Sequence, residues 1–179
     1  QKLLGDIKEG NKKSHKFYGV RFNTEFVPAE NLGVKNAKWD KEDGLEVNRD
    51  CYNSYFYPVE DEHLTVVDKI KLYREDITSY LDGGSALHLN LEQLVSKEQF
   101  KDIYGACATF GVNYWATNTL CTICNDCGYI NPNTKKECTC CHSKNVDYGT
   151  RVIGYLKRIS NFSLERQKEA GQRFYQKIE

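Results

Sequence analysis

The chain has 179 residues, 40% of them hydrophobic, and its 25 basic side chains balance 25 acidic ones for a formal net charge of zero. That balance argues against a nucleic-acid or membrane surface, and there is neither a run of about 18 apolar residues nor a charged-then-apolar leader, so a cytoplasmic chain forming one soluble domain or part of a larger one is expected. Methionine is absent and the chain opens on Gln1, which reads as a piece of a longer protein.

Residues 1–17 are Lys-rich and contain Gly5 and Gly10, and they read as a helix end or linker. Phe17 to Val27 carries aromatic and β-branched residues in near alternation and predicts a buried strand ended by Pro28. Pro28 to Gly33 reads as a turn or loop, Trp39 to Asp50 as a polar excursion, and Tyr52 to Pro58 as a second extended segment stopped by proline. From Glu62 the period changes. Leu64, Val67, Ile70, Tyr73, Ile77 and Leu81 recur at three- and four-residue steps, which predicts one amphipathic helix closed by Gly83 and Gly84. Ser85 to Leu91 predicts a short strand. Ser96 with Gln99 fits a capping box for a helix to Thr109, with Phe100, Ile103, Tyr104 and Cys107 on one stripe and Gly111 as its stop. Val112 to Thr119 is a further strand, and the order of parts fits an α/β sheet or barrel.

Eight cysteines would suit disulfides in a small secreted protein, but most of those between Cys121 and Cys141 fall in CxxC spacings, which points to metal in a reducing compartment. Cys124 and Cys127, followed by Gly128 and Tyr129, form one knuckle, and Cys138 and Cys141 form another across a polar loop. Four such thiolates surround a zinc ion tetrahedrally; an iron-sulfur cluster or a redox dithiol is the alternative. Spacing alone leaves Cys121 and Cys140 as alternates. Gly128 favours Cys127, because a tight knuckle turn suits a residue without a β-carbon. His142 adjoins Cys141 and reads as a bystander, while Cys51 and Cys107 read as small buried hydrophobes.

Downstream, Arg151-Val152-Ile153-Gly154-Tyr155 reads as a glycyl-radical site. Only glycine can lose an α-hydrogen to leave a flat Cα radical with no side chain clashing across its plane. Taken alone, such a glycine is more often a turn residue at positive φ. Ser163 to Ile178 predicts a solvated terminal helix with Leu164, Phe174 and Ile178 as sparse apolar anchors.

Taken together, the knuckle from Cys124 to Tyr129, the Cys138–Cys141 knuckle and the run from Arg151 to Leu156 resemble the C-terminal part of anaerobic, class III ribonucleoside-triphosphate reductases. Supporting segments are Phe22 to Glu30, Tyr52 to Tyr55, Asp82 to His88 and Gly111 to Tyr114. The resemblance implies the C-terminal portion of a glycyl-radical-enzyme α/β barrel, divided into a partial barrel (1–119), a four-Cys zinc ribbon (120–148) and a radical loop with a terminal helix (149–179). It also implies structural zinc, a ribonucleoside triphosphate substrate and a homodimer in the full enzyme. A separate radical-SAM activase, using S-adenosylmethionine and a 4Fe-4S cluster, would remove hydrogen from Gly154. The glycyl radical would then oxidise a cysteine to a thiyl that attacks the ribose, with formate or a thiol system as reductant. That cysteine has no matching context here, so the chain alone is expected to be inactive and to need the remainder of the subunit.

Glu25 and Glu30 flank the end of the first predicted strand, an address used by active-site groups in α/β barrels, where a carboxylate could orient ribose hydroxyls or accept a proton. Asn23 and Asn31 are polar companions, and Arg151 could anchor the radical loop through its carbonyls. Two other functions fit the same residues: an autonomous spare-part protein that repairs an oxygen-damaged reductase, and a zinc-ribbon binding module without a radical.

Overall fold

The computed structural model describes residues 1–26, 30–53, 55–152 and 155–178, without the side chains of residues 30, 31, 152 and 155. The Lys-rich opening is a helix, α1 (Lys2–Tyr18), ended by Gly19 at φ 68, whose N–H donates to the His15 carbonyl. Of the two readings, helix end or linker, the helical one holds but extends over the whole segment, and the start of the expected strand is corrected. Lysine, leucine and glutamate are good helix formers whatever their charge, and Phe17 and Tyr18 are exposed rather than buried in a sheet. The strand itself shrinks to β1 (Glu25–Phe26), and α2 (Glu30–Glu42) occupies most of the expected loop and the start of the polar excursion. Gly33 lets α2 approach the next segment, since a β-carbon there would sit 2.8 Å from the Tyr52 carbonyl oxygen.

Tyr52 to Pro58 joins no sheet among the described residues; instead Tyr57 is buried and donates its hydroxyl to the His88 carbonyl at 2.5 Å. The single helix expected from Glu62 onward is two short ones, α3 (Val66–Leu72) and α4 (Glu75–Thr78). Thr65 and Asp68 form a capping box on α3, and Arg74 takes an extended conformation that restarts the chain as the N-cap of α4. Apolar periodicity continues through Tyr73 although the backbone helix does not.

Next come β2 (Gly84–Ser85), β3 (Leu87–Leu91), α5 (Lys97–Phe110) and β4 (Trp115–Thr119). The expected capping box of Ser96 and Gln99 is present on α5, and Gly111 at φ 71 ends it. Within its stripe Ile103 and Cys107 are buried, but Phe100 and Tyr104 are exposed. β1 pairs with β2 and β3 with β4, both in parallel, the latter in register from Leu87 opposite Trp115 to Leu91 opposite Thr119. All five residues of β3 are buried. Its leucines pack with Tyr57, Val59, Ile70, Tyr73, Ile103, Cys107 and Val112 into the main core, each fully buried leucine contributing about 1.5–3 kcal/mol.

After Leu120 the architecture becomes antiparallel. Strands β5 (Cys121–Cys124), β6 (Ile130–Pro132), β7 (Val146–Val152) and β8 (Tyr155–Arg158) form a sheet in the order β6-β5-β7-β8. A short 3-10 turn at Ile159–Asn161 leads to α6 (Leu164–Gln172). This helix ends earlier than expected and is not merely solvated: Arg166, Glu169 and Ala170 are buried, while the supposed anchor Leu164 is exposed. Its tail returns to the core in extended form. Phe174 N–H donates to the Val59 carbonyl at 2.7 Å, Gln176 N–H to the Asn90 carbonyl at 3.0 Å, and Glu92 N–H to the Gln176 carbonyl at 2.9 Å, so Gln176 bridges in parallel to Leu91.

Candidate functional site

The sequence places Cys124 at the end of β5, where the chain turns so that Gly128 N–H donates to the Cys124 carbonyl and Cys124 N–H to the Tyr129 carbonyl. Gly128 has φ 75 and provides the left-handed turn of this first knuckle. The second knuckle closes through His142 N–H to the Cys138 carbonyl and Cys138 N–H to the Ser143 carbonyl, with His142 itself at φ 58. Asp126 joins the two knuckles by accepting from the Ser143 hydroxyl and from the Asn145 amide, and these bonds hold its carboxyl below the ordinary range.

These turns bring Cys124, Cys127, Cys138 and Cys141 together, with all four sulfurs within 4.8 Å of one another. The Cys124–Cys141 and Cys127–Cys138 sulfur separations are both 3.6 Å. A zinc ion with bonds of about 2.3 Å requires tetrahedral edges of about 3.8 Å, so the four thiols fit that ion with little adjustment. Charge is favoured at one of the sulfurs: N–H donors at Cys141 and then Cys140, with hydrogen bonds from the Cys127 and Cys124 thiols, outweigh burial and lower the Cys138 thiol, while Cys127 and Cys141 are raised. Cys121 and Cys140 are not in the group. Cys121 is buried in β5 and its thiol donates to the Gly149 carbonyl at 3.5 Å, whereas Cys140 is exposed and contributes its N–H to Cys138 Sγ at 3.3 Å. Cys51 and Cys107 are buried singly, and burial raises both thiols, Cys107 to about 11.

Arg151 lies on β7, and β7 pairs with β8 up to Val152 opposite Tyr155. Gly154 lies outside the described residues. Glu25 on β1 crosses directly over Gly83, where a β-carbon would lie 2.8 Å from Glu25 Cβ and 3.0 Å from Asn23 Nδ2. Glu25 and Phe26 line a cleft of about 410 Å³ with Gly83, Gly84, Ser85, Ala86, Asn113 and Tyr114. Three segments far apart in sequence therefore meet around one carboxylate. Glu30 is the first residue of α2, and its side chain, like that of Asn31, lies outside the description.

One polar group was not legible beforehand. His88 and Asn90 on β3, Asn118 on β4, and Arg173 and Glu169 near the C-terminus are all buried. The available signal was the alternation Leu-His-Leu-Asn-Leu in a strand buried on both faces, which requires partners for its polar members.

No helix among the described residues is long and apolar enough to cross a membrane. A family model described as anaerobic ribonucleoside-triphosphate reductase matches residues 1–175. Among solved structures, an anaerobic ribonucleotide reductase superposes with a TM-score of 0.83 at 29% identity, covering 99% of this chain and 28% of that one. An anaerobic ribonucleotide reductase from Thermotoga maritima, in complex with dATP and CTP, gives a TM-score of 0.75 at 30% identity, covering 93% of this chain and 27% of that one. The same organism's reductase with dATP bound in the specificity site gives 0.74 at 29% identity, covering 90% and 26%. The chain thus spans little more than a quarter of the length of these structures. No curated protein matches it.

Proposed function

Because this chain belongs to the anaerobic ribonucleoside-triphosphate reductase family, we propose that it is the radical-storing, C-terminal part of an enzyme that reduces ribonucleotides to deoxyribonucleotides for DNA synthesis. The observation that carries the reading is the order of parts: a strand of the four-thiol ribbon, β7, runs directly into the sequence Ile153-Gly154. Gly154 stores the radical between turnovers, and Arg151 on the same strand anchors the segment that carries it.

The four thiols hold zinc. With every coordination position taken by sulfur, such a site binds no substrate or water, and its contribution is to fix the ribbon. Glu25 in its cleft, with Glu30 at the start of α2, supplies carboxylates that orient the ribose hydroxyls or accept a proton. The remainder of the subunit supplies the thiyl cysteine, so the chain is inactive alone; a radical-SAM activase, with S-adenosylmethionine and its 4Fe-4S cluster, generates the radical. The setting is cytoplasmic, the full enzyme is a dimer, and the division into 1–119, 120–148 and 149–179 is one of sequence parts, with the sheet of the ribbon continuing through β7 and β8 to Arg158. A spare-part repair protein or a bare ribbon module is less favoured, because the family match takes in the upstream helices and parallel strands as well as the ribbon.

Admitting air after anaerobic activation tests the reading. Oxygen is expected to cleave the chain at Gly154, releasing a C-terminal piece of about 25 residues visible by mass spectrometry. An intact mass, with the activase shown to be competent on its own reductase, would overturn it.

A further inference from the structure

Side chains in a strand alternate between faces. In β3 the leucines enter the apolar core, so His88 and Asn90 point the other way, and Asn118 of β4 stands in register with Asn90. The C-terminal tail is the third member of this face. Gln176 is bridged to Leu91 and sends its side chain to Lys69 and the Leu64 carbonyl, which by the same alternation puts Arg173 and Tyr175 beside His88 and Asn90.

A count of donors and acceptors shows what this cluster lacks. Asn118 Nδ2 lies 3.3 Å from the Tyr55 hydroxyl, 3.3 Å from Asn90 Oδ1 and 3.3 Å from His88 Nδ1, while Asn118 Oδ1 faces His88 Nδ1 at 3.5 Å. Arg173 uses Nε and Nη2 on the two oxygens of Glu169, at 3.0 and 2.8 Å, and its guanidinium lies 5.1 Å from the centre of the Tyr55 ring. Among the described residues Asn90 Nδ2 and Arg173 Nη1 then have no partner, although Asn90 is only 1% exposed and Arg173 6%. Both leftover groups are donors, and one is cationic. His88 is pushed below its ordinary range first by burial, the Asn118 hydrogen bond opposing the shift and Arg151 and Arg173 adding to it, while Glu169 balances the charge of Arg173.

Buried donors without acceptors are costly. A water molecule would supply lone pairs but bring hydrogens into a cluster already rich in donors, whereas an oxyanion supplies acceptors alone. We propose that Arg173 Nη1 and Asn90 Nδ2 bind a small soluble oxyanion, a carboxylate or a phosphate group, on the face formed by β3, β4 and the C-terminal tail. This site does not depend on the radical reading, since anion binding requires neither Gly154 nor an activase.

The test is thermal melting of the intact, metal-loaded protein titrated with sodium acetate and, separately, with inorganic phosphate, each against sodium chloride of equal ionic strength. A saturable rise in melting temperature beyond that in chloride is expected. A response to acetate alone assigns a carboxylate ligand, and a response to phosphate assigns a phosphate-bearing one. Asn90→Leu removes one donor at similar volume while Asn118 keeps Tyr55 as acceptor, and Arg173→Lys keeps the charge but loses the fork; each should need about tenfold more anion for the same rise. If Arg173→Lys fails to fold, Asn90→Leu decides. A rise no greater than in chloride, or an Asn90→Leu protein with undiminished response, would overturn the proposal.

Discussion

The two sheets on either side of Leu120 are held in opposite ways. The parallel pair β3–β4 is ordered by burial: three leucines of one strand sit in a continuous apolar core with α3 and α5 around them. The ribbon β5–β8 is ordered by backbone pairing and by four converging sulfurs, and its fully buried side chains include Thr122, Asn131 and Thr150 rather than large aliphatics. A region without a sizeable apolar core depends on a metal, and a region with one does not. The same contrast suits the roles proposed for them, because a strand leading to a glycine proposed to store a radical benefits from local rigidity independent of the core.

Removing the metal should separate the two most sharply. Cys138→Ser, or a strong chelator, is expected to abolish zinc binding and to strip hydrogen-exchange protection from β5–β8 while β3 and β4 keep theirs, since structural zinc sites carry about 10–16 kcal/mol of apparent binding free energy. Unchanged zinc content in Cys138→Ser would break the ligand assignment. The converse change is Leu89→Ala. It should lower global stability by about 2–5 kcal/mol in a denaturant titration and leave the metal stoichiometry intact; loss of metal as well would mean that the regions are not independent.

A pH titration sharpens the contrast further. Lys69 is buried in the core, donates to Gln176 Oε1 at 3.0 Å, and is drawn by burial from the ordinary 10.5 to about 8. Between those values the unfolded chain holds a proton that the folded one has released, so stability should rise with pH from about 8 toward 10 and lose this benefit below 8. Lys69→Met should flatten that slope in the core without altering metal release from the ribbon. The smallest effect is local: Ser96→Ala removes the cap of α5 and should cost about 1 kcal/mol, read as a small fall in melting temperature.

The ribbon was more legible in the sequence than the core. Two CxxC pairs and Gly128 specify a local geometry, and Cys124, Cys127, Cys138 and Cys141 meet as the spacing implies. Capping chemistry was equally local, which is why Ser96, Gln99 and Gly111 mark the ends of α5. What failed were features decided by distant contacts. Phe17 and Tyr18 have the composition of a strand but end a helix, and no strand among the described residues pairs with them. The periodic run from Leu64 to Leu81 keeps an apolar face across a backbone break at Arg74, so periodicity alone reported one helix where there are two. The tail from Arg173 to Ile178 looks helical by composition, yet a bridge to β3 at Gln176 holds it as an extended segment. The meeting of Glu25, Gly83 and Tyr114 around one cleft likewise required the fold.

The most direct test of the central claim is electron paramagnetic resonance after anaerobic incubation of the complete reductase with its activase and S-adenosylmethionine. A glycine-centred doublet that Gly154→Ala abolishes, with zinc content unchanged, is the predicted result. No doublet from an activase proven competent on another reductase, or a doublet that survives Gly154→Ala, would contradict it.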